Sequence, residues 1–272
     1  MRIAYLLVAM GLGACAVDDA EEVEFAQESR TLESRVGTFL AEYSQGSDGT
    51  EIHAQFIVTR GISADQALEA LDVWRPYTDL EIDVCALSNA QSPSGEERVS
   101  LELLDVGPIT VETHDSLAVL EARRLPDIWD GVSGVVYGTE RGFDSEVITV
   151  PYQLATTYTV SAPGAEISGF SVELEAPEVP EIIEHDFGSW SWVPAMEPAD
   201  QMYVEVEGVD GQGRMVCRVE DDGEFVIPIQ LKEAARVTLR RINVADLRMD
   251  GLDKSVAIFS SKNTRTISLR TE

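Results

Sequence analysis

The chain has 272 residues, with 49 acidic against 20 basic side chains and a formal net charge of −29. So negative a field repels phosphate backbones and anionic lipid heads, and argues against nucleic acid as a partner. With 44% hydrophobic residues the chain has the means to bury a core, and its composition is not that of a disordered protein.

In chain order, Arg2 supplies a positive start, the stretch from Ile3 to Leu12 carries no charge, and Gly13 and Ala14 are small. That order reads as a secretory signal over 1–14. The apolar run is shorter than the ~20 residues that span a bilayer. The run Leu12-Gly13-Ala14-Cys15 resembles the lipobox of bacterial lipoproteins. The resemblance implies cleavage before Cys15, a diacylglycerol on its thiol and an acyl group, such as palmitate, on the new amine. Each buried methylene would add ~0.8 kcal/mol to such an anchor. In that family Ala16, where an Asp would favour inner-membrane retention, points to the outer membrane. The blander alternatives are a plain signal peptide cut nearby or a buried first helix.

Residues 15–50 read as the lipidated cysteine and a flexible acidic tether, with Asp18, Asp19, Glu21 and Glu22 clustered and a turn-rich end at 44–49. Leu32, Val36, Phe39 and Leu40 are spaced as one face of a short helix. Beyond this, alternation predicts strands. In 51–60, Ile52, Ala54, Phe56 and Val58 alternate with polar residues. Ser63 and Gln66 form a capping box ahead of Ala67, Leu68 and Leu71, which predicts a two-turn helix. Further strands are predicted at 80–87, 99–104, 109–112, 117–122, 132–137, 146–152, 157–161 and 169–175. The two prolines of Ala176-Pro177-Glu178-Val179-Pro180 read as a boundary. A second series follows at 191–193, 202–208, 215–219, 225–229, 237–242, 256–260 and 264–269, with one helical turn at 231–235. The predicted class is all-β: a β-sandwich domain over 51–177 and a second over 178–272.

The segments Leu103-Leu104-Asp105-Val106-Gly107-Pro108-Ile109, Val135-Val136-Tyr137, Tyr158-Thr159-Val160 and Ala176-Pro177 are similar to surface lipoproteins of δ-proteobacterial type. So are Tyr203-Val204-Glu205-Val206, the run from Val216 to Pro228, and Leu239-Arg240-Arg241. The second group, with Trp192, also resembles immunoglobulin- or fibronectin-like sandwiches. The resemblance covers about 50–272, rests on turns and core strands, and implies a fold and a place without an activity.

Cys85 and Cys217 remain after lipidation, and export allows them to pair. A bridge needs Cα atoms within ~7 Å, and the two fall in different predicted domains. Two separate, partly buried thiols are therefore expected, with a Cys85–Cys217 bond as the lesser alternative. No nucleophile elbow, zinc-binding helix pair, Walker loop, dinucleotide loop or Cys-x-x-Cys pair occurs. His53, His114 and His185 are far apart. Glu184-His185-Asp186 is a weak metal candidate, because neighbours on a strand face opposite ways. Asp210-Gly211 and Asp221-Asp222-Gly223 offer hard oxygens for calcium, yet hairpin turns explain them without it. Trp190 and Trp192 share a face of a strand and are the ligand-binding candidates, as a sugar-stacking pair. Core filling is the competing account, firmer for Trp192. Trp74, Tyr77 and Trp129 lie in expected loops.

The reading favoured by the sequence is a non-enzymatic, lipid-anchored outer-membrane protein without a cofactor or metal. Its partners are the membrane and an envelope protein or glycan. A carbohydrate-binding surface protein is the alternative, and a hydrolase whose site assembles only in space stands third.

Overall fold

The computed structural model describes residues 33–70, 80–88, 100–125, 132–139, 148–185, 189–208, 214–228 and 234–267. The expected signal, Cys15, Trp74, Tyr77, Trp129, Asp210 and the expected turn at 231–233 lie outside these residues. The described chain is nearly all β, as its alternating pattern predicts.

Local chemistry accounts for the clearest elements. In β2 (Thr50–Arg60), Ile52, Ala54, Phe56 and Val58 are buried on one face, as the two-residue period of a strand requires. Helix α1 (Ala64–Ala70) opens with the expected reciprocal cap. The Ser63 amide donates to Gln66 Oε1 at 2.9 Å, and the Gln66 amide donates to Ser63 Oγ at 3.3 Å. Ala67 and Leu68 then seat the helix on Val36, Ile57 and Leu103.

Residues 33–44 depart from expectation. They form strand β1 (Glu33–Ser44) rather than part of a tether or a helix. Phe39 and Ala41 are buried on one face, Val36 and Thr38 on the other. A strand covered on both sides loses its alternation of polar and apolar residues, and here the remainder mimics helical spacing. β1 pairs antiparallel with β2 and parallel with the last strand, β17 (Lys254–Ile267). The two short strands expected at 256–260 and 264–269 are this single 14-residue strand. The strand expected at 146–152 is reduced, within the described residues, to a bridge between Thr50 and Val150.

The principal sheet has ten strands. Besides those named they are β3 (Val84–Ser88), β4 (Ser100–Leu103), β7 (Arg123–Arg124), β8 (Val132–Gly138), β13 (Gln201–Gly208), β14 (Arg214–Val219) and β16 (Ala235–Asp246). The order is β3-β14-β13-β16-β17-β1-β2-β4-β8-β7. A second sheet runs β10-β9-β5-β6, from β5 (Ile109–Glu112), β6 (Leu117–Leu120), β9 (Thr157–Gly164) and β10 (Ser168–Glu175). A third runs β11-β12-β15, from β11 (Glu181–His185), β12 (Ser189–Val193) and β15 (Glu224–Val226). Gly134 is required where β4 and β8 run parallel, because its φ is +113° and a Cβ there would overlap the Leu103 carbonyl.

One face of the ten-stranded sheet carries two cores. Phe39, Phe56 and Phe259 pack with Tyr158, Val160 and Phe170 of the second sheet. Val204, Cys217 and Leu239 pack with Trp190 and Trp192 of the third. The predicted boundary at 177/178 therefore has a packing counterpart but is not a linker. Strands from both sides of it hydrogen-bond in one sheet, with β3 reaching across to β14 and β1 to β17. Ala176, Pro177 and Pro180 are buried where the chain crosses between cores. The prolines suit that crossing because their nitrogens have no hydrogen to satisfy.

Candidate functional site

The sequence-predicted residues are dispersed. Trp190 and Trp192 are each 1% exposed and fill the core under the third sheet. This corrects their reading as a sugar-stacking pair: both rings point inward from β12, and the outward residues of that strand are Ser189, Ser191 and Val193. Trp192 Nε1 donates to Asp221 Oδ1 at 2.8 Å. Asp221 is thereby engaged by the protein itself, as a turn and core acceptor. His53 is half-buried on β2, and His114 is exposed with Nδ1 2.9 Å from Asp115 Oδ2. His185 ends β11, opposite Trp190. Among the described residues no group of three or more His, Cys, Asp or Glu is placed to hold a metal.

Cys85 and Cys217 form a disulfide, contrary to the expectation of separate thiols. They are register partners on β3 and β14, with Cα atoms 4.0 Å apart. Separation in sequence misled because β3 leaves the strands that flank it and completes the far edge of the sheet.

A cleft of about 700 Å³ lies beside α1, over the central strands of the ten-stranded sheet. Thr38, Val244, Val256 and Ile258 lie on one face of three adjacent strands, where the register sets Thr38 against Val256 and Val244 against Ile258. They form the floor, and Leu68 of α1 lines it beside them. The connection 247–253 between β16 and β17 makes the rim, with Arg248, Asp250 and Asp253. It is held from two sides. Asp253 Oδ2 accepts the Arg35 amide at 2.8 Å, and Ser168 Oγ donates to the Asp250 carbonyl at 3.0 Å. Lys254 reaches across to Asp65 of α1 at 2.6 Å. A smaller cleft of about 370 Å³ is lined by Glu173, Glu175, Glu178, Glu197 and Asp200.

Two charged networks flank the cores and are structural in character. On the face of the sheet that also carries α1, Arg240 is 5% exposed and joins Glu42 and Glu205, with Lys262 also on Glu42. Burial alone would raise the Glu42 carboxyl, but Arg240 and Lys262 outweigh it and hold it below its ordinary value. On the opposite face Arg241 sits between the two cores, donating to both oxygens of Asp221 at 2.8 Å and to the Val193 carbonyl at 2.6 Å. Burial, and then its hydrogen bond to Asp105, push the Tyr137 hydroxyl well above its ordinary range. That phenol also accepts the Val106 amide, which pins a loop rather than poising an acid.

The geometry thus offers a cleft suited to binding. Sequence reasoning missed it because its floor comes from strands of three separate segments. The only local signal was the mixed run Asp246-Leu247-Arg248-Met249-Asp250 beside a turn. Comparison with protein-family models, with known proteins and with solved structures finds no match.

Proposed function

We propose that this protein is an exported lipoprotein, acylated on Cys15 and held at the outer membrane, with a non-catalytic binding or structural task. The observation that carries this reading is the Cys85–Cys217 disulfide. Such bonds form and persist in oxidising compartments and are rare in the cytosol, which agrees with a chain opening on a signal and lipobox pattern. The cleft beside α1 supports the binding task, being of the ~300–1,000 Å³ size of small-molecule sites. The glycan alternative loses its two named residues, since neither Trp190 nor Trp192 reaches the surface.

The test is the mature N-terminus. Cells fed an alkyne-bearing palmitate should yield a labelled protein in the membrane fraction, with Cys15 as its first residue by mass spectrometry. Cys15→Ser should abolish the label. An unlabelled native chain cut at another position would overturn the proposal.

A further inference from the structure

The cleft beside α1 combines an aliphatic floor with a rim of both charge signs. Val244 and Val256 are half-buried and present hydrocarbon, Leu252 adds to it from the rim, and Leu68 and Ile258 are almost fully buried in the lining. Asp246, Arg248 and Asp250 are exposed at the mouth and make no ion pair within the described residues. These three charges are therefore available to a ligand, whereas Asp253 accepts the Arg35 amide and Lys254 pairs with Asp65. An anionic amphiphile would meet the two carboxylates, and a basic peptide would meet Arg248. A head carrying both signs matches both.

The position of the cleft on the chain supplies the second argument. β1 enters the sheet beside it: the Arg35 amide bonds Asp253, and Val36 is the register partner of Lys254. From Cys15 to Glu33 is 33 − 15 = 18 residues, which reach at most ~60 Å when fully extended. An acyl anchor on Cys15 therefore keeps Glu33, where β1 begins, within that length of chain from a bilayer.

We propose that the cleft takes a zwitterionic membrane phospholipid. Its aliphatic tail lies on Val244, Val256 and Leu252, its phosphate meets Arg248, and its amine meets Asp246 and Asp250. The proposal rests on the reading of Cys15 as an anchor for its supply of lipid, and on the cleft alone for its chemistry.

The experiment uses the full chain carrying Cys15→Ser and radiolabelled palmitoyl lysophosphatidylethanolamine below its micellar concentration. Saturable one-to-one binding is expected. Arg248→Glu, at an exposed position that leaves the fold intact, should weaken it about tenfold, as loss of one charge-assisted bond implies. Val256→Asp should weaken it at least as much, with circular dichroism confirming the fold. Palmitoyl lysophosphatidylglycerol, which lacks the amine, should bind several-fold more weakly. Absence of saturable binding, or binding indifferent to Arg248→Glu, or equal affinity for the two lipids, overturns the proposal. These outcomes are independent of acylation, so a native chain with an unmodified Cys15 would defeat the anchor while leaving the binding result to stand or fall by itself.

Discussion

Arg241 is 1% exposed, and a guanidinium so deprived of water is tolerable only when its donors are met. The Asp221 carboxylate takes two of them and the Val193 carbonyl a third. Asp221 in turn holds the Trp192 indole. One ion pair thus ties β16 to the β14–β15 turn and to the end of β12. Arg241→Leu should destabilise the protein by about 3–5 kcal/mol, because it strands a carboxylate away from solvent. Asp221→Ala should cost a similar amount. The double variant should lose clearly less than the sum of the two, since neither charge is left behind. Urea unfolding of the three variants measures this. A loss under ~1 kcal/mol in each single variant would refute a buried role. None of this was visible in the dipeptide Arg240-Arg241. Alternation places neighbours on opposite faces and suggests that one of them meets water, whereas both are buried. The partners responsible, Glu42, Glu205 and Asp221, are distant in the chain.

Elements were legible where their cause is local. The cap of α1 is written in Ser63 and Gln66, β5 follows from alternation of buried and less buried residues, and β2 from the alternation of its first half. β1 was not legible, because both its faces are buried along its middle and Val36, Phe39 and Leu40 also fit the spacing of a helix. β3 was recognisable as a strand, but its place was not, and with it went the disulfide. At the sheet edge that bond fastens a five-residue strand whose only strand partner among the described residues is β14, with Arg218 also donating to the Leu80 carbonyl just before it. Ile82, Val84 and Leu87 are substantially exposed there, so little apolar burial of their own holds the segment down. Cys85→Ser with Cys217→Ser should therefore lower stability by about 2–5 kcal/mol, a range that includes the large loop closed across 132 residues. Hydrogen exchange should show the loss of protection first at Val84–Ser88 and Arg214–Val219. Unchanged exchange at those strands, in the variant or after reduction, would show that the bond does not secure the edge.

At the scale of the whole molecule, the two cores lie on one shared sheet and are unequal in what each borrows. The core under the third sheet draws its fully buried members from 190–267. The core under the second sheet needs Phe39 and Ala41 from β1, and Leu247, Met249, Ala257 and Phe259 from the far end of the chain. Sequence reading assigned each strand to the domain around it, and pairing of β1 with β17 crosses that division because register is a long-range property. An asymmetry follows. Residues 51–177 produced alone lose those six side chains. At ~1.5–3 kcal/mol for each of the four large ones, the loss is comparable to the ~5–15 kcal/mol that holds a domain together. That fragment should show no cooperative transition and little near-ultraviolet dichroism. Residues 178–272 keep Trp190, Trp192 and their neighbours. They should retain a cooperative, weaker transition while exposing the β17 edge that β1 covers in the whole protein. Adding a peptide of residues 33–50 to the second fragment should raise its midpoint by supplying that partner strand. If 51–177 folds on its own with the stability of the intact chain, the shared sheet is incidental and the two halves are separable after all.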